Sequence, residues 1–265
     1  MQAFATSRLP SSMRAIARSP NTARLVSLSV VLAVWEFYGR QYPLFTSYPS
    51  EIAQAFVDTF SSEVLPALLT TLHGFAVGFA IAAPLGVALG LLTARSEVFD
   101  TILTPYINAL YVTPRVTLIP LLVLWFGIGF ELRVAIVVMS AIFPVIINVY
   151  TGARVIDHEL MDVGRAFVAN RWQLLRTIVV PGSLPYAFTG LRLGLARALT
   201  GIVVAEMSAA IAGLGRLLIT KGRALQTDQL FVPIIVLGLL AIVLTAGLVA
   251  LQRRAMPWQQ EADRP

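Results

Sequence analysis

The sequence predicts an all-α, polytopic membrane protein with about six transmembrane helices, and three observations lead there. Apolar residues make up 57% of the 265-residue chain and charged residues only 13%, about half the usual ~25% of a soluble domain. So few charges cannot cover the surface of a soluble globule, which excludes an ordinary cytosolic enzyme, a coiled coil and a disordered chain. Long stretches carry no formal charge at all, and the basic residues gather between them.

The charge gaps mark the spans. No residue is formally charged between Glu63 and Arg95, between Arg133 and Arg154, or between Asp228 and Arg253. About 20 apolar residues in a helix cross a ~30 Å hydrocarbon core, and a helix satisfies its own backbone in lipid. Three further spans are less regular. Residues 25–38 are short, with Glu36 near one end; 101–126 contains Pro105, Pro114, Pro120 and Arg115; 186–212 contains Arg192, Arg197 and Glu206. The expected helices are 25–39, 68–93, 101–126, 133–152, 186–211 and 230–252. Residues 1–24 and 253–265 are then tails, and 25–252 a single transmembrane domain.

Basic residues orient the set, because inside loops are enriched in Lys and Arg. Arg8, Arg14, Arg18 and Arg24 place the N-terminal tail in the cytoplasm. The segment 40–66, with Glu51, Asp58 and Glu63, is expected as an outside loop. Arg154, Arg165, Arg171 and Arg176 place 154–185 inside, and Arg253, Arg254 and Arg264 do the same for the C-terminal tail. Arg40, Arg133, Arg216, Lys221 and Arg223 fall in outside loops, the last of which dissents from the rule. The basic N-terminus followed by an apolar run also suits a signal peptide, but Glu36, Phe37, Tyr38 and Gly39 supply no small-residue cleavage pattern. An uncleaved first helix is expected.

Cysteine is absent, so no thiolate site exists. Lys221 is the sole lysine and precedes Gly222, which excludes a phosphate-binding loop ending in Lys-Ser or Lys-Thr. His73 and His158 lack metal-ligand spacing. No cofactor or metal is expected.

The segment 154–185 is patterned. Leu160, Met161, Gly164, Phe167 and Val168 share one helical face, and Trp172, Leu175 and Val179 recur at helical spacing. Asn170 with Gln173 approximates a capping box. Pro181 ends the pattern, with Gly182 and Pro185 opening the next span. Two short helices at the membrane surface follow, each with an apolar face to cover. Lipid is one cover and a partner protein another. A DNA-reading helix–turn–helix fits poorly, since the segment is tethered at both ends and carries Asp157, Glu159 and Asp162; no nucleic-acid partner is expected.

Ionisable residues within spans are functional candidates by default. Arg197 and Glu206 lie nine residues apart, half a turn out of register, and cannot pair within one helix. Arg192 and Arg197 have snorkelling to the interface as a simpler role. Glu206 either faces a pathway, or pairs with Arg115 or with another span. Arg115, Arg197 and Glu206 are therefore candidates for a pathway or for helix pairing. Gly78, Gly86 and Gly90 permit close helix contact.

The run Asp162-Val163-Gly164-Arg165-Ala166, then Asn170-Arg171-Trp172-Gln173-Leu174 and Ile178-Val179-Val180-Pro181, resembles the cytoplasmic loop of bacterial ABC importer permeases. Tyr48-Pro49-Ser50-Glu51-Ile52, Thr113-Pro114-Arg115 through Pro120, Trp125-Phe126-Gly127-Ile128-Gly129, Leu184-Pro185-Tyr186, Thr189-Gly190-Leu191-Arg192 and Val203-Val204-Ala205-Glu206 look like the nitrate, sulfonate and taurine branch. The resemblance runs from about Trp35 to Trp258. It departs at the loop signature: Asp162 stands at the Glu position, Val163 and Gly164 at the two Ala positions, and Val168 at the Gly. A β-branched residue resists positive φ, so the turn is expected at Ala169–Asn170.

The resemblance implies a type I importer-like permease that is not an enzyme. It would sit in the bacterial inner membrane with a second permease chain, two copies of an ABC ATPase and an extracytoplasmic solute-binding protein. Asp162, Gly164, Arg165, Asn170, Arg171, Trp172, Leu175 and Pro181 would form the ATPase-coupling loop. The solute would be small and anionic: a sulfonate, taurine, nitrate or similar. The alternative is a self-sufficient secondary transporter or channel using Glu206 for ion coupling, and co-purification of an ATPase separates the two.

Overall fold

The computed structural model describes residues 20–156, 158–209 and 212–258. Arg8, Arg14, Arg18, Asp157 and Arg264, and with them most of both predicted tails, lie outside the described residues. No strand occurs among the described residues. Five helical stretches are long and apolar enough to cross a membrane: Thr22–Gln41, Pro49–Arg95, Phe130–Arg154, Arg171–Ser208 and Thr227–Ala255. A pair bent by 96°, Glu97–Val112 with Arg115–Phe126, passes the same test together and brings the number to six when counted as one broken span.

In chain order the helices are α1 (Pro20–Gln41), α2 (Pro43–Thr46), α3 (Pro49–Thr59), α4 (Leu65–Arg95), α5 (Glu97–Val112), α6 (Ile119–Phe126), α7 (Phe130–Arg154), α8 (His158–Ala166), α9 (Arg171–Leu174), α10 (Val180–Ser208), α11 (Leu214–Arg223) and α12 (Thr227–Ala255). Three boundaries differ from the sequence expectation. The expected outside loop 40–66 is largely helical, since α3 runs into α4. The expected helix 101–126 breaks at Thr113–Pro114, while Pro105 stays inside α5. Pro181 does not end the second hairpin helix, because α9 continues into α10.

One device explains both continuations. A π-helical turn, Phe60–Val64, links α3 to α4, and another, Leu175–Val179, links α9 to α10. In each a backbone N–H reaches five residues back, Leu65 to Phe60 and Val180 to Leu175. Proline follows at once, as Pro66 and Pro181. A proline ring collides with the carbonyl four residues earlier and leaves it without a donor. The wider turn makes room for the ring, so the helix survives.

The core is three helices thick. Phe75 and Ala82 of α4, Val137 and Ala141 of α7, and Leu195, Ala198 and Ile202 of α10 are buried together. α7 lies in the middle because α4 gives it a glycine ridge. A Cβ at Gly78, Gly86 or Gly90 would stand 2.6, 2.8 or 2.8 Å from the Cβ of Val137, Val145 or Val149. Lipid tails are as apolar as leucine, so helices in a membrane associate through such close packing of small residues. α1, α5, α6 and α12 are far more exposed, with Val112 and Leu124 outermost.

Arg95, Arg154 and Arg165 line one cavity together with Met161. Away from that cavity, Arg40 pairs with Glu36 at 2.8 Å and Lys221 with Glu63 at 2.7 Å. Arg133 is not in a loop; it lies in α7, is buried, and donates from Nη1 to the Ala212 carbonyl at 2.8 Å.

Candidate functional site

The 158–179 segment is a built hairpin. Met161 is buried with Ala153, Leu174 and Val179, beside Leu91 and Ala94, which seats α8 on the ends of α4 and α7. Gly164 lies so close to α9 that a Cβ there would be 2.5 Å from Leu174 Cδ2 and 3.0 Å from Ile178 Cδ1. Asn170 Oδ1 accepts from the Gln173 N–H at 2.9 Å, and Gln173 Oε1 accepts from the Asn170 N–H at 2.7 Å, a complete capping box. Asp162 and Arg165 pair at 2.9 Å on the exposed side.

The turn falls at Val168, not at Ala169–Asn170. Val168 has φ 57°. Its N–H donates to the Arg165 carbonyl at 2.8 Å, and the Ala169 N–H donates to Gly164 at 3.1 Å. This pair of bonds is the Schellman closure of a helix, whose left-handed position is ordinarily glycine. Asn170 cannot take that role, because as N-cap of α9 it is extended, with ψ 167°. Only Phe167 to Asn170 separate α8 from α9, and with Asn170 committed as the N-cap the left-handed residue falls on Val168.

The predicted single apolar face splits. Met161 and Gly164 face the bundle, whereas Phe167, Val168 and Trp172 are 81%, 89% and 67% exposed. Leu175 packs half-buried beneath the hairpin, and Pro181 sits in the first turn of α10. Arg171 is exposed beside Trp172. Phe167 and Val168 thus join Trp172 as exposed apolar groups, although their spacing reads as a core face.

Of the intramembrane candidates, Arg115 and Arg197 come together and Glu206 goes elsewhere. Arg115 and Arg197 line a cavity of about 340 Å³ at the α5–α6 break, bounded also by Ser140 of α7 and by Thr200 and Gly201 of α10. Ser140 is fully buried, yet its Oγ has no hydrogen-bond partner, and neither has Arg115 Nε. Glu206 is fully buried against another span: Thr71 Oγ1 of α4 lies 2.9 and 3.0 Å from its two carboxylate oxygens. The Gly215 N–H donates to it at 2.9 Å. It neither pairs with Arg115 nor lines that cavity. Thr71 and Ser140 were missed in the sequence; a lone hydroxyl inside an apolar run is the signal that points to them. Among the described residues no group of His, Cys, Asp and Glu could hold a metal.

Comparison with known proteins agrees with this architecture. Residues 84–259 match the family of binding-protein-dependent transport system inner membrane components. The chain is 27% identical over 274 residues to an aliphatic sulfonates transport permease protein, SsuC, of Bacillus subtilis (strain 168), covering 99% of each chain. It is 32% identical over 257 residues to the taurine transport system permease protein TauC of Escherichia coli (strain K12), covering 91% of each. It is also 32% identical over 238 residues to the riboflavin transport system permease protein RibX of Chloroflexus aurantiacus, covering 88% and 89%. In structure it matches a chain of the inward-facing MetNI methionine ABC transporter with a TM-score of 0.58, at 19% identity, over 75% of this chain and 97% of that one. The chain belongs to the family of binding-protein-dependent transport system inner membrane components: it is a multi-pass permease subunit of an ABC importer, a transport subunit and not an enzyme, that works with an ATPase and a binding protein.

Proposed function

We propose that this permease carries a small sulfonate-type anion inward, and that its 158–179 hairpin is the contact through which the ATPase drives it. The observation that carries the coupling reading is the exposure of Phe167, Val168 and Trp172 on a hairpin held by Gly164 and by the Asn170–Gln173 box. Rigidly presented apolar side chains of this size lower their free energy by docking into a partner. The permeases for aliphatic sulfonates and taurine among its relatives support the solute class.

The hairpin faces the cytoplasm, as do residues 1–24 and 253–265, which flank the transmembrane domain 25–252. The arginines gathered at the hairpin end, Arg95, Arg154, Arg165, Arg171 and Arg176, support this orientation through the positive-inside rule. Two copies of the chain make the working unit, with two copies of the ATPase. The exposed α5–α6 face, including Tyr106, Val112 and Leu124, supports the pairing. Asp162, Arg165 and Arg171 form the polar rim of the docking surface, with Trp172 as its apolar anchor; Gly164, Asn170, Leu175 and Pro181 hold it in shape.

Truncating such an anchor costs about 2 kcal/mol of binding, or roughly a thirtyfold loss of affinity. Trp172→Ala and Phe167→Ala are each expected to weaken ATPase pull-down to that extent while membrane insertion is normal. Normal pull-down and normal uptake for both variants would remove the hairpin from the mechanism.

A further inference from the structure

The cavity at the α5–α6 break has a composition that apolar packing does not explain. Arg115 and Arg197 share its wall, and no carboxylate is among the lining residues. Neither arginine is in any of the ion pairs found among the described residues. Two like charges facing one cavity within a membrane span are costly unless an anion lies between them.

Ser140 adds an independent observation. Hydroxyls in these helices ordinarily bond back to the carbonyl four residues earlier, as Thr93, Thr151 and Thr200 do. Ser140 Oγ does not, although the residue is fully buried. Glycine at 201 keeps the space in front of it clear, since a Cβ there would collide with Ser140 Oγ. Arg115 Nε is likewise buried without an acceptor. A buried donor left unpaired costs about 1–3 kcal/mol. Donors on α7 and on the α5–α6 break, with the Arg197 guanidinium on α10, therefore await acceptor oxygens. The broken backbone at Thr113–Pro114 fits this, because non-helical backbone at membrane depth is tolerated where it lines a cavity.

We propose that Arg115, Arg197 and Ser140 form an intramembrane binding site for the sulfonate headgroup of the transported solute. The guanidinium groups supply charge-assisted donors and the Ser140 hydroxyl a third, neutral donor. The cavity volume suits a headgroup with a short organic tail. The site rests on the sulfonate reading of the solute, and the test separates the two.

The chain has no cysteine, so Thr200→Cys places one thiol in the cavity wall. In proteoliposomes holding the complete complex, its reaction is compared for two methanethiosulfonates, one ending in ethylsulfonate and one in ethyltrimethylammonium. Each rate is divided by that reagent's rate with a free small thiol. A positive cavity raises the anion-to-cation ratio on the order of tenfold, and Arg197→Gln or Arg115→Gln lowers it. Millimolar taurine or ethanesulfonate slows the anionic reaction, and Ser140→Ala weakens that protection. A ratio near one, or a thiol that reacts with neither reagent, overturns the site; this arm decides even where an arginine variant fails to assemble. A ratio unchanged in both arginine variants overturns it as well. A high ratio with neither protection nor import of taurine or ethanesulfonate overturns the sulfonate assignment and leaves an anion site of other specificity.

Discussion

Thr71 on α4 donates its hydroxyl to Glu206 on α10 and accepts the Leu214 N–H at 2.9 Å, so that one buried threonine ties together three helices. Glu206 accepts in turn from the Gly215 N–H. The first two amides of α11 are thereby satisfied by side chains from α4 and α10. Gly213, at φ 141°, allows the chain to pass the carboxylate, since a Cβ there would collide with it.

The first prediction follows from that clasp. Thr71→Val is nearly isosteric but strips Glu206 of a donor and Leu214 of an acceptor. Leaving buried polar groups unpaired costs about 1–3 kcal/mol each. The purified protein should lose thermal stability in detergent, and Thr71→Ser should restore most of it. Equal melting temperatures for the valine variant and the unaltered chain would show that the clasp contributes nothing.

A second prediction concerns Val168. A left-handed conformation costs a non-glycine residue roughly 1–2 kcal/mol. Glycine relieves this but gives back about 0.5–1 kcal/mol as greater freedom of the open chain. Val168→Gly should therefore stabilise the hairpin by about 1 kcal/mol, near a fivefold change in its local opening equilibrium. Amide exchange of residues 164–174 reports this directly: slower exchange is expected, and faster exchange would contradict the strain argument.

Helix packing offers a third test with its own control. Gly86→Ala places a Cβ 2.8 Å from Val145 Cβ, and α4 and α7 must part. Overpacking of this kind costs about 1–3 kcal/mol. Gly238 and Gly247 on α12 have nothing within 4 Å of the same added carbon. Alanine there should be neutral or stabilising, because it is the better helix former. Thermal unfolding of the three single variants checks the order; equal effects would deny the glycine ridge its role.

Topology supplies the fourth. Asp58→Cys on α3 and Arg171→Cys on α9 are exposed positions in a chain without native cysteine. An impermeant thiol reagent added to spheroplasts, with the outer membrane removed, should label position 58 and spare position 171. Labelling at 171 alone would reverse the orientation.

The sequence by itself determined what depends on neighbours along the chain. Span composition is local, so helices stand where charge gaps occur, as with Arg133 to Arg154. The capping box is local too, because Asn170 and Gln173 are three residues apart. Tertiary structure decided what depends on helices meeting. Residue 71 meets 206, and 115, 140 and 197 line one cavity, only because α7 lies between α4 and α10 with the broken α5–α6 span beside it. It also overrode two local rules. Valine occupies the left-handed turn because Asn170 is already committed as an N-cap and Gly164 must lie against Leu174. Pro66 and Pro181 stay within long helices because a π-helical turn before each makes room for its ring. In both places the packing of whole helices outweighs a propensity of about 1–3 kcal/mol carried by one residue.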